Sequence, residues 1–399
     1  ACSHTLKSMR IKMILLAAAA AGMSATAWSD AQSILSSPGL SFAVPVLAGS
    51  QRFKVATAVR ETVFMRQLPQ AQGQNLEGTA SRSLAREPLD ATALWVWGAT
   101  SPAPKAPASI LIAERVSRRE LGVQIEKFRT LATNKDLAGG FRHLDRALTV
   151  YPEVGTSLLP KIAQSLDIAE IRALLIPYSR KPWFADLVRQ AAQNAPDPLG
   201  VAALLTEAKT SVNALTPGTL PILLSKLLSA EEGYEAGQLA IRMQAISAEG
   251  LEQFGISDQT IGPESRPLTW QLNSSDAASV KQNNNSAAAF MVEPGRSAIL
   301  FDRVTVYRTG TYLLSNTLSG SDPRLIASWE LHCIEADGEK LAQSQRIPVN
   351  VIQQRTHVQI ILPQDCPAQH WFFKASASDL QVSATGELKE IDLQLAENN

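Results

Sequence analysis

Histidine and cysteine, two common zinc ligands, come close together in the sequence at two places near the C-terminus. His332 is followed directly by Cys333, and Cys366 is followed four residues later by His370. Zinc would need three or four of these side chains at about 2.0–2.3 Å from one ion. Because adjacent residues of a strand point to opposite faces, His332 and Cys333 cannot easily share an ion. We therefore predict that this group does not bind a metal.

The two cysteines can also bond to each other. In an oxidising compartment Cys333 and Cys366 can form a disulfide. It would close a loop of about 33 residues and stabilise the fold by roughly 3–4 kcal/mol. The other interpretation is two buried thiols that do not bond, and the sequence leaves both open.

Motifs for nucleotide binding and nucleophilic catalysis are absent from the sequence. It contains no P-loop, no G-x-G-x-x-G after a predicted strand, no H-E-x-x-H and no G-x-S-x-G. His143 and Asp145 lie close together but have no nucleophile beside them. Glu231 and Glu232 diverge by about 100° around a helix, which does not suit two acids that flank a glycosidic bond. We predict a protein that is not an enzyme and needs no cofactor.

The densest group of basic residues consists of Arg115, Arg118, Arg119, Arg142 and Arg146. Arg142 and Arg146 are one turn apart on one face of a predicted helix. Arg118 and Arg119 are predicted in the first turn of another helix, where positive charge opposes the helix dipole and a bound anion would offset the cost. The group is a candidate site for a partner such as an acidic peptide or an anionic polysaccharide. The alternative is ion pairing with glutamates of the same stretch.

Tryptophans are the second class of candidate binding residues. Trp95 and Trp97 are two positions apart on a predicted helix, so we expect one in the core and the other at a groove. Trp97 is the candidate for contact with a partner. Trp270, Trp329 and Trp371 are expected in the core of the C-terminal domain, and the alternative is that they stack against sugars. Trp371, which follows a polar loop, and Trp270 are the candidate glycan-binding residues.

The arginines must be positioned by the stretch from residue 117 to residue 152. Ser117 followed by Glu120 predicts a capping box at a helix start. Apolar residues then recur at helical spacing from Leu121 to Ala132 and, after a polar break, from Leu137 to Tyr151. Two helices this short, joined by a tight turn, must pack antiparallel with their apolar stripes together.

Helical periodicity extends over residues 76–255, where prolines and glycines separate roughly a dozen short helices. Each helix pairs with its neighbour, which predicts an α-solenoid. The segment Ser83-Leu84-x-x-x-Pro88, followed by Trp97-Gly98, resembles the end of one tetratricopeptide unit and the start of the next. Ala147-Leu148-x-x-x-Pro152 is a second copy of the ending, 64 residues further on, which is close to two units of 34 residues. The resemblance covers residues 76–152 and implies a concave surface for a protein partner.

The periodicity of apolar residues changes after Gly262-Pro263. From Leu268 onward apolar and polar residues alternate, so that Trp329 and Cys333 share one face of a strand while His332 faces away. Seven or eight short strands are predicted in about 130 residues, typical of an antiparallel β-sandwich. We predict this domain over residues 263–399.

Three short segments of this domain resemble jelly-roll domains of the carbohydrate-binding-module type. They are Gly310-Thr311-Tyr312, Ser328-Trp329-Glu330-Leu331 and Ile391-Asp392-Leu393. The resemblance implies that the domain binds a glycan or a second protein.

The sequence pattern of the N-terminal segment predicts that the protein is exported. Lys7, Arg10 and Lys12 precede the apolar run Met13–Met23, and Ala25-Thr26-Ala27 fits a cleavage site, so residues 1–27 are predicted to be a signal peptide. The alternative is an uncleaved membrane anchor, although the run is short for a span. Residues 28–75 are expected to be a partly helical extension. We therefore expect a periplasmic or envelope-associated protein.

Composition limits the classes of function. The 399 residues allow two or three domains, and 37 basic residues balance 37 acidic ones, which argues against general nucleic-acid binding. Our leading hypothesis is an α-solenoid followed by a β-sandwich in a non-catalytic exported protein. The solenoid would bind a protein and the sandwich a glycan or a protein, in surface polysaccharide assembly or export by analogy of fold. The alternatives are a structural subunit of a membrane-associated complex and, less favoured, a glycan-active hydrolase.

Overall fold

The structure is a computed structural model, which describes residues 70–100, 105–256, 263–284, 287–320, 325–335, 338–348, 354–364, 366, 368–378 and 381–396. The predicted signal peptide over residues 1–27 and most of the extension over residues 28–75 lie outside the described residues. Among the described residues, no helix has both the length and the apolar character that crossing a membrane requires.

Twelve α-helices lie in the described part of residues 70–252. They are α1 Gln70–Arg86, α2 Ala91–Thr100, α3 Lys105–Val116, α4 Leu121–Thr133, α5 Leu137–Val150, α6 Gly155–Ala163, α7 Ala169–Leu175, α8 Pro182–Asn194, α9 Pro198–Glu207, α10 Thr219–Ser229, α11 Gly233–Arg242 and α12 Ala248–Glu252. Many are separated by proline or glycine positions, as the sequence predicts.

Helices α4 and α5 form the antiparallel pair that their hydrophobic spacing predicts. Asp136 is the N-cap of α5 and accepts a hydrogen bond from the Gly139 amide at 2.8 Å. Across the pair, the rings of Phe128 and Phe141 meet edge to face with centroids 6.3 Å apart.

The predicted capping box of α4 is wrong. The N-cap residue of α4 is Glu120, and its side chain makes no capping hydrogen bond. Its carboxylate instead accepts a hydrogen bond from the Thr92 hydroxyl of α2 at 2.7 Å. Arg118 and Arg119 therefore lie in the turn between α3 and α4 and not in the first turn of a helix.

Within the described residues, ten strands form two antiparallel five-stranded sheets. The strands are β1 Gln271–Leu272, β2 Ala278–Asn284, β3 Ala287–Val292, β4 Ser297–Thr305, β5 Gly310–Gly320, β6 Leu325–Glu335, β7 Gly338–Pro348, β8 Gln354–Leu362, β9 Ala368–Ala377 and β10 Ala384–Leu395. The first sheet has the order β1-β4-β9-β6-β7 and the second the order β2-β3-β10-β5-β8. The predicted fold class, helix pairs followed by an antiparallel β-sandwich, is confirmed.

Contacts between Cα atoms divide the chain into two compact units. Within the described residues, the first unit holds the chain up to residue 165 and residues 180–187. The second holds residues 166–179 and the chain from residue 188 onward. The last helices therefore belong to the same unit as the strands.

The core of the sandwich is aromatic. Trp270, Trp329, Trp371 and Phe373 are each at most 1% exposed. Phe254, from the segment after α12, adds its ring to this group, with its centroid 4.9 Å from Trp371. Burial of several large rings in one cluster is the main stabilisation of the domain.

Arg303 on β4 joins α12 to the sandwich. Its guanidinium is fully buried and donates hydrogen bonds to the backbone carbonyls of Leu268, Gly250, Leu251 and Gln253. Burial lowers its pKa to about 10, so the group stays charged at neutral pH. Three of the carbonyls come from the end of α12 and the residue after it, where the helix dipole favours a positive charge.

Candidate functional site

The candidate site is a group of side chains on the outer face of the first sheet. Alternation along β6 and β9 turns Trp329 and Trp371 into the core and the residues beside them outward. We call the outward group the histidine–phenylalanine cluster, and it consists of Asp302, Glu330, His332, His370, Phe372 and Lys374.

Three rings lie next to one another in this cluster. His332 and His370 are directly opposite each other in the register of β6 and β9. The ring centroid of Phe372 is 5.0 Å from that of His332 and 4.0 Å from that of His370. All three residues are half-buried. The sheet therefore presents three adjacent rings, tilted relative to one another, that are partly open to solvent.

Glu330 lies at one end of this group of rings. Its carboxylate accepts a hydrogen bond from Lys374 Nζ at 2.6 Å and lies 3.3 Å from His332 Nε2. Burial raises the pKa of Glu330, but the hydrogen bonds and charges of Lys374 and His332 outweigh it, and the net pKa is lowered. The carboxylate is therefore ionised at neutral pH and is held in place.

Asp302 lies at the other end. Its Oδ2 is 3.1 Å from His370 Nε2, and its Oδ1 accepts a hydrogen bond from Asn273 Nδ2 at 2.6 Å. Each histidine of the cluster thus has a carboxylate beside it. In the described part of the chain, no group of three or more histidine, cysteine, aspartate or glutamate side chains could hold a metal ion.

The outer face of the second sheet has a different character. Side chains of β2, β3, β5 and β10 line an open groove of about 790 Å³ there. Glu387 accepts hydrogen bonds from Asn283 at 3.0 Å and from Lys389 at 2.6 Å. The other outward side chains of the groove are small or flexible, such as Ser319 and Met291, and the one ring that lines it, Phe290, is only 4% exposed.

The two candidate glycan-binding tryptophans are core residues, as the first interpretation of the sequence expects, and the alternative that they stack against sugars is wrong. Trp371 is 0% exposed and Trp270 is 1% exposed, so neither ring offers a face to a sugar. The indole of Trp371 donates to the Thr305 hydroxyl at 2.8 Å, and that of Trp270 donates to the Phe254 carbonyl at 2.6 Å. Both polar edges are satisfied inside the domain.

In the structure, Cys333 and Cys366 form a disulfide. It joins β6 to the residues just before β9, next to the two histidines of the cluster.

The five arginines of the helical region are exposed. None of them has an ion-pair partner among the described residues. The glutamates of the same stretch contact other groups: Glu114 pairs with Lys127 at 2.8 Å, Glu126 lies 3.7 Å from Arg129, and Glu120 binds the Thr92 hydroxyl. Trp95 is buried, whereas Trp97 is half-buried and packs against the same helical core.

The histidine–phenylalanine cluster was missed as a site in the sequence, although its signal was present. Strand alternation correctly turns Glu330 and His332 away from the core. The same rule places His370, Phe372 and Lys374 together on one face of β9, and the pairing of β6 with β9 brings the two sets onto one sheet face.

Comparisons with known proteins found similarity of fold in part of the chain. No protein-family model matches the sequence, and no curated protein matches it. The solved structures similar to the C-terminal domain include carbohydrate-binding modules. A structure of CBM4 is 15% identical with a TM-score of 0.28, and covers 36% of this chain and 97% of its own. The N-terminal cellulose-binding domain of Cellulomonas fimi β-1,4-glucanase C is 17% identical with a TM-score of 0.24, at 36% and 97% coverage. TmCBM61 in complex with β-1,4-galactotriose is 10% identical with a TM-score of 0.25, at 32% and 88% coverage.

Proposed function

We propose that the β-sandwich binds carbohydrate through the histidine–phenylalanine cluster. The observation that carries the proposal is the contact of Phe372 with both His332 and His370 on a half-open face. Sugar rings have an apolar C–H face and a rim of hydroxyl groups, so they need a flat ring surface beside hydrogen-bonding groups. The cluster offers the half-buried ring of Phe372, with carboxylate and imidazole groups beside it on the same sheet face.

The polar groups of the cluster are already ordered. Lys374 fixes Glu330, and Asn273 fixes Asp302, before any ligand binds. Pre-ordered side chains lose less conformational entropy on binding. The carboxylate oxygens can accept hydrogen bonds from sugar hydroxyls at either end of the group of rings.

The wider role follows our sequence-based hypothesis and remains a proposal. The protein would be non-catalytic and exported to the cell envelope, where it takes part in the assembly or export of a surface polysaccharide. The disulfide between Cys333 and Cys366 supports an oxidising compartment. The helical region would act as a scaffold for a protein partner.

The test is binding of the full-length chain to an array of neutral and acidic oligosaccharides, followed by calorimetry on the best binder. Phe372→Ala should weaken that binding by about tenfold or more, since ring stacking contributes about 0.5–1.5 kcal/mol beyond area burial. Lys281→Ala on the second sheet is the matched control and should change binding by less than about twofold. Unchanged binding by Phe372→Ala, or no binding to any glycan, would refute the proposal.

A further inference from the structure

Helix α3 carries apolar side chains on its outer as well as its inner side. Its inner side includes Ala113, which is fully buried. On the outer side, Leu111 is 43% exposed, Ile112 46% and Val116 38%. Ile112 and Val116 are one helical turn apart and therefore adjacent on the helix surface. Single exposed apolar residues are ordinary, but three close together on one helix indicate a contact surface.

Positive charge borders these apolar residues. Arg115 lies among them at the end of α3, and Arg118 and Arg119 follow in the turn. Arg142 and Arg146 lie on α5. We call this surface of α3, the turn and α5 the basic–apolar face.

Hydrogen bonds hold the parts of this face together. The buried Gln124 of α4 donates from Nε2 to the Arg118 carbonyl at 3.0 Å, and its Oε1 lies 2.8 Å from Nδ1 of His143 on α5. Glu114 of α3 binds Lys127 of α4 at 2.8 Å. The turn is thus fixed beside α5.

The electrostatics of His143 show that the charges are close together. Burial lowers the pKa of His143, the positive charge of Arg146 lowers it further, and Lys127 and Arg142 add to the effect. Glu114 acts in the opposite direction but is already paired with Lys127. Since like charges repel, the face gains from a negatively charged ligand.

We propose that the basic–apolar face binds an acidic amphipathic segment of a partner protein. Apolar side chains of such a segment would cover Leu111, Ile112 and Val116, and its carboxylates would pair with the surrounding arginines. An anionic polysaccharide matches the charge but has no apolar side chains for α3. The proposal gives the chemistry of the partner that the scaffold role requires, and it does not depend on glycan binding.

The test uses the full-length chain and a fluorescein-labelled helical peptide with leucines on one side and glutamates on the other. Two further probes separate the contributions: a peptide of the same composition with a scrambled order, and a chondroitin sulfate oligosaccharide. Fluorescence anisotropy should show the amphipathic peptide binding at least about tenfold more tightly than either.

Variants assign the binding to this face. Arg142→Glu with Arg146→Glu should weaken peptide binding by about tenfold or more, and Ile112→Ala with Val116→Ala by about fivefold. Arg180→Glu with Arg308→Glu makes the same change in net charge at exposed sites elsewhere and should leave binding within about twofold. Circular dichroism checks that each variant folds.

Three outcomes would overturn the proposal. The first is that the amphipathic peptide does not bind. The second is that the scrambled peptide or the polysaccharide binds equally well. The third is that the Arg142 and Arg146 reversals have no more effect than the control pair.

Discussion

The two outer faces of the β-sandwich have the same strand alternation but different chemistry. On the first sheet, alternation exposes two histidines and a phenylalanine between two fixed carboxylates. On the second, it exposes a groove of small and flexible polar side chains around Glu387. The second-sheet groove thus lacks the exposed rings that the first sheet presents. Strand geometry therefore decides which residues face outward, and residue type decides what the face can bind.

The largest expected effect comes from the residue that joins α12 to the sandwich. Arg303→Met should lower the free energy of unfolding by about 3–5 kcal/mol, because it leaves several buried carbonyls without a donor. Denaturant unfolding measures the loss. Arg308→Met, at an exposed site, should stay within about 0.5 kcal/mol of the wild type, and an equal loss in both variants would contradict the assigned role of Arg303.

The disulfide should stabilise the first sheet more than the second. Replacing Cys333 and Cys366 by alanine should lower the free energy of unfolding by roughly 3–4 kcal/mol. Amide hydrogen exchange should accelerate more in β6 and β9 than in β3 and β10, since the bond lies beside the first pair. Equal acceleration in both sheets would show that the two faces are not stabilised separately.

Gly386 of the second sheet leaves room for the ring of Phe290. A Cβ atom added at Gly386 would lie 2.4 Å from the ring of Phe290, so Gly386→Ala should cost about 1–3 kcal/mol by overpacking. Glycan binding at the first sheet should be unaffected in the folded fraction, as measured by calorimetry. Loss of binding in that fraction would place the glycan site in the second-sheet groove.

The smallest effect concerns acid pH. Burial raises the pKa of Glu330, but its hydrogen bonds with Lys374 and His332 lower the pKa overall. The pKa of Glu387 is also lowered, and the largest cause is its hydrogen bond from Lys389. The stabilisation from each carboxylate is present above its unfolded pKa and is lost as the pH falls through the lower folded pKa. In both Glu330→Gln and Glu387→Gln, the free energy of unfolding should therefore fall slightly less on acidification than it does in the wild type. Only Glu330→Gln should change the acid dependence of glycan binding, and a change in both variants would contradict the assignment.

Local patterns in the sequence predicted much of the fold. The α4–α5 pair follows from helical spacing, and the outward position of His332 follows from strand alternation. The capping box of α4 failed because Glu120 binds Thr92, which is 28 residues away. The role of Arg303 could not be predicted, since its partners lie 35 to 53 residues away in sequence.

The candidate site was harder to predict than the fold. In β9 both alternating sets contain rings, with Trp371 and Phe373 in one and His370 and Phe372 in the other. The sequence therefore does not show which set forms the core. That choice depends on Phe254 and Trp270, which fill the interior from distant parts of the chain.

Sugars should contact the first sheet through Phe372 and its two histidines. Side-chain NMR spectra of the full-length chain, selectively labelled at histidine and phenylalanine, can be recorded during titration with the tightest-binding oligosaccharide of the array. We expect the ring signals of His332, His370 and Phe372 to shift together and to saturate at the calorimetric affinity. Ring signals of these three residues that stay fixed, while the ring signal of Phe290 in the second-sheet groove shifts, would contradict the proposal.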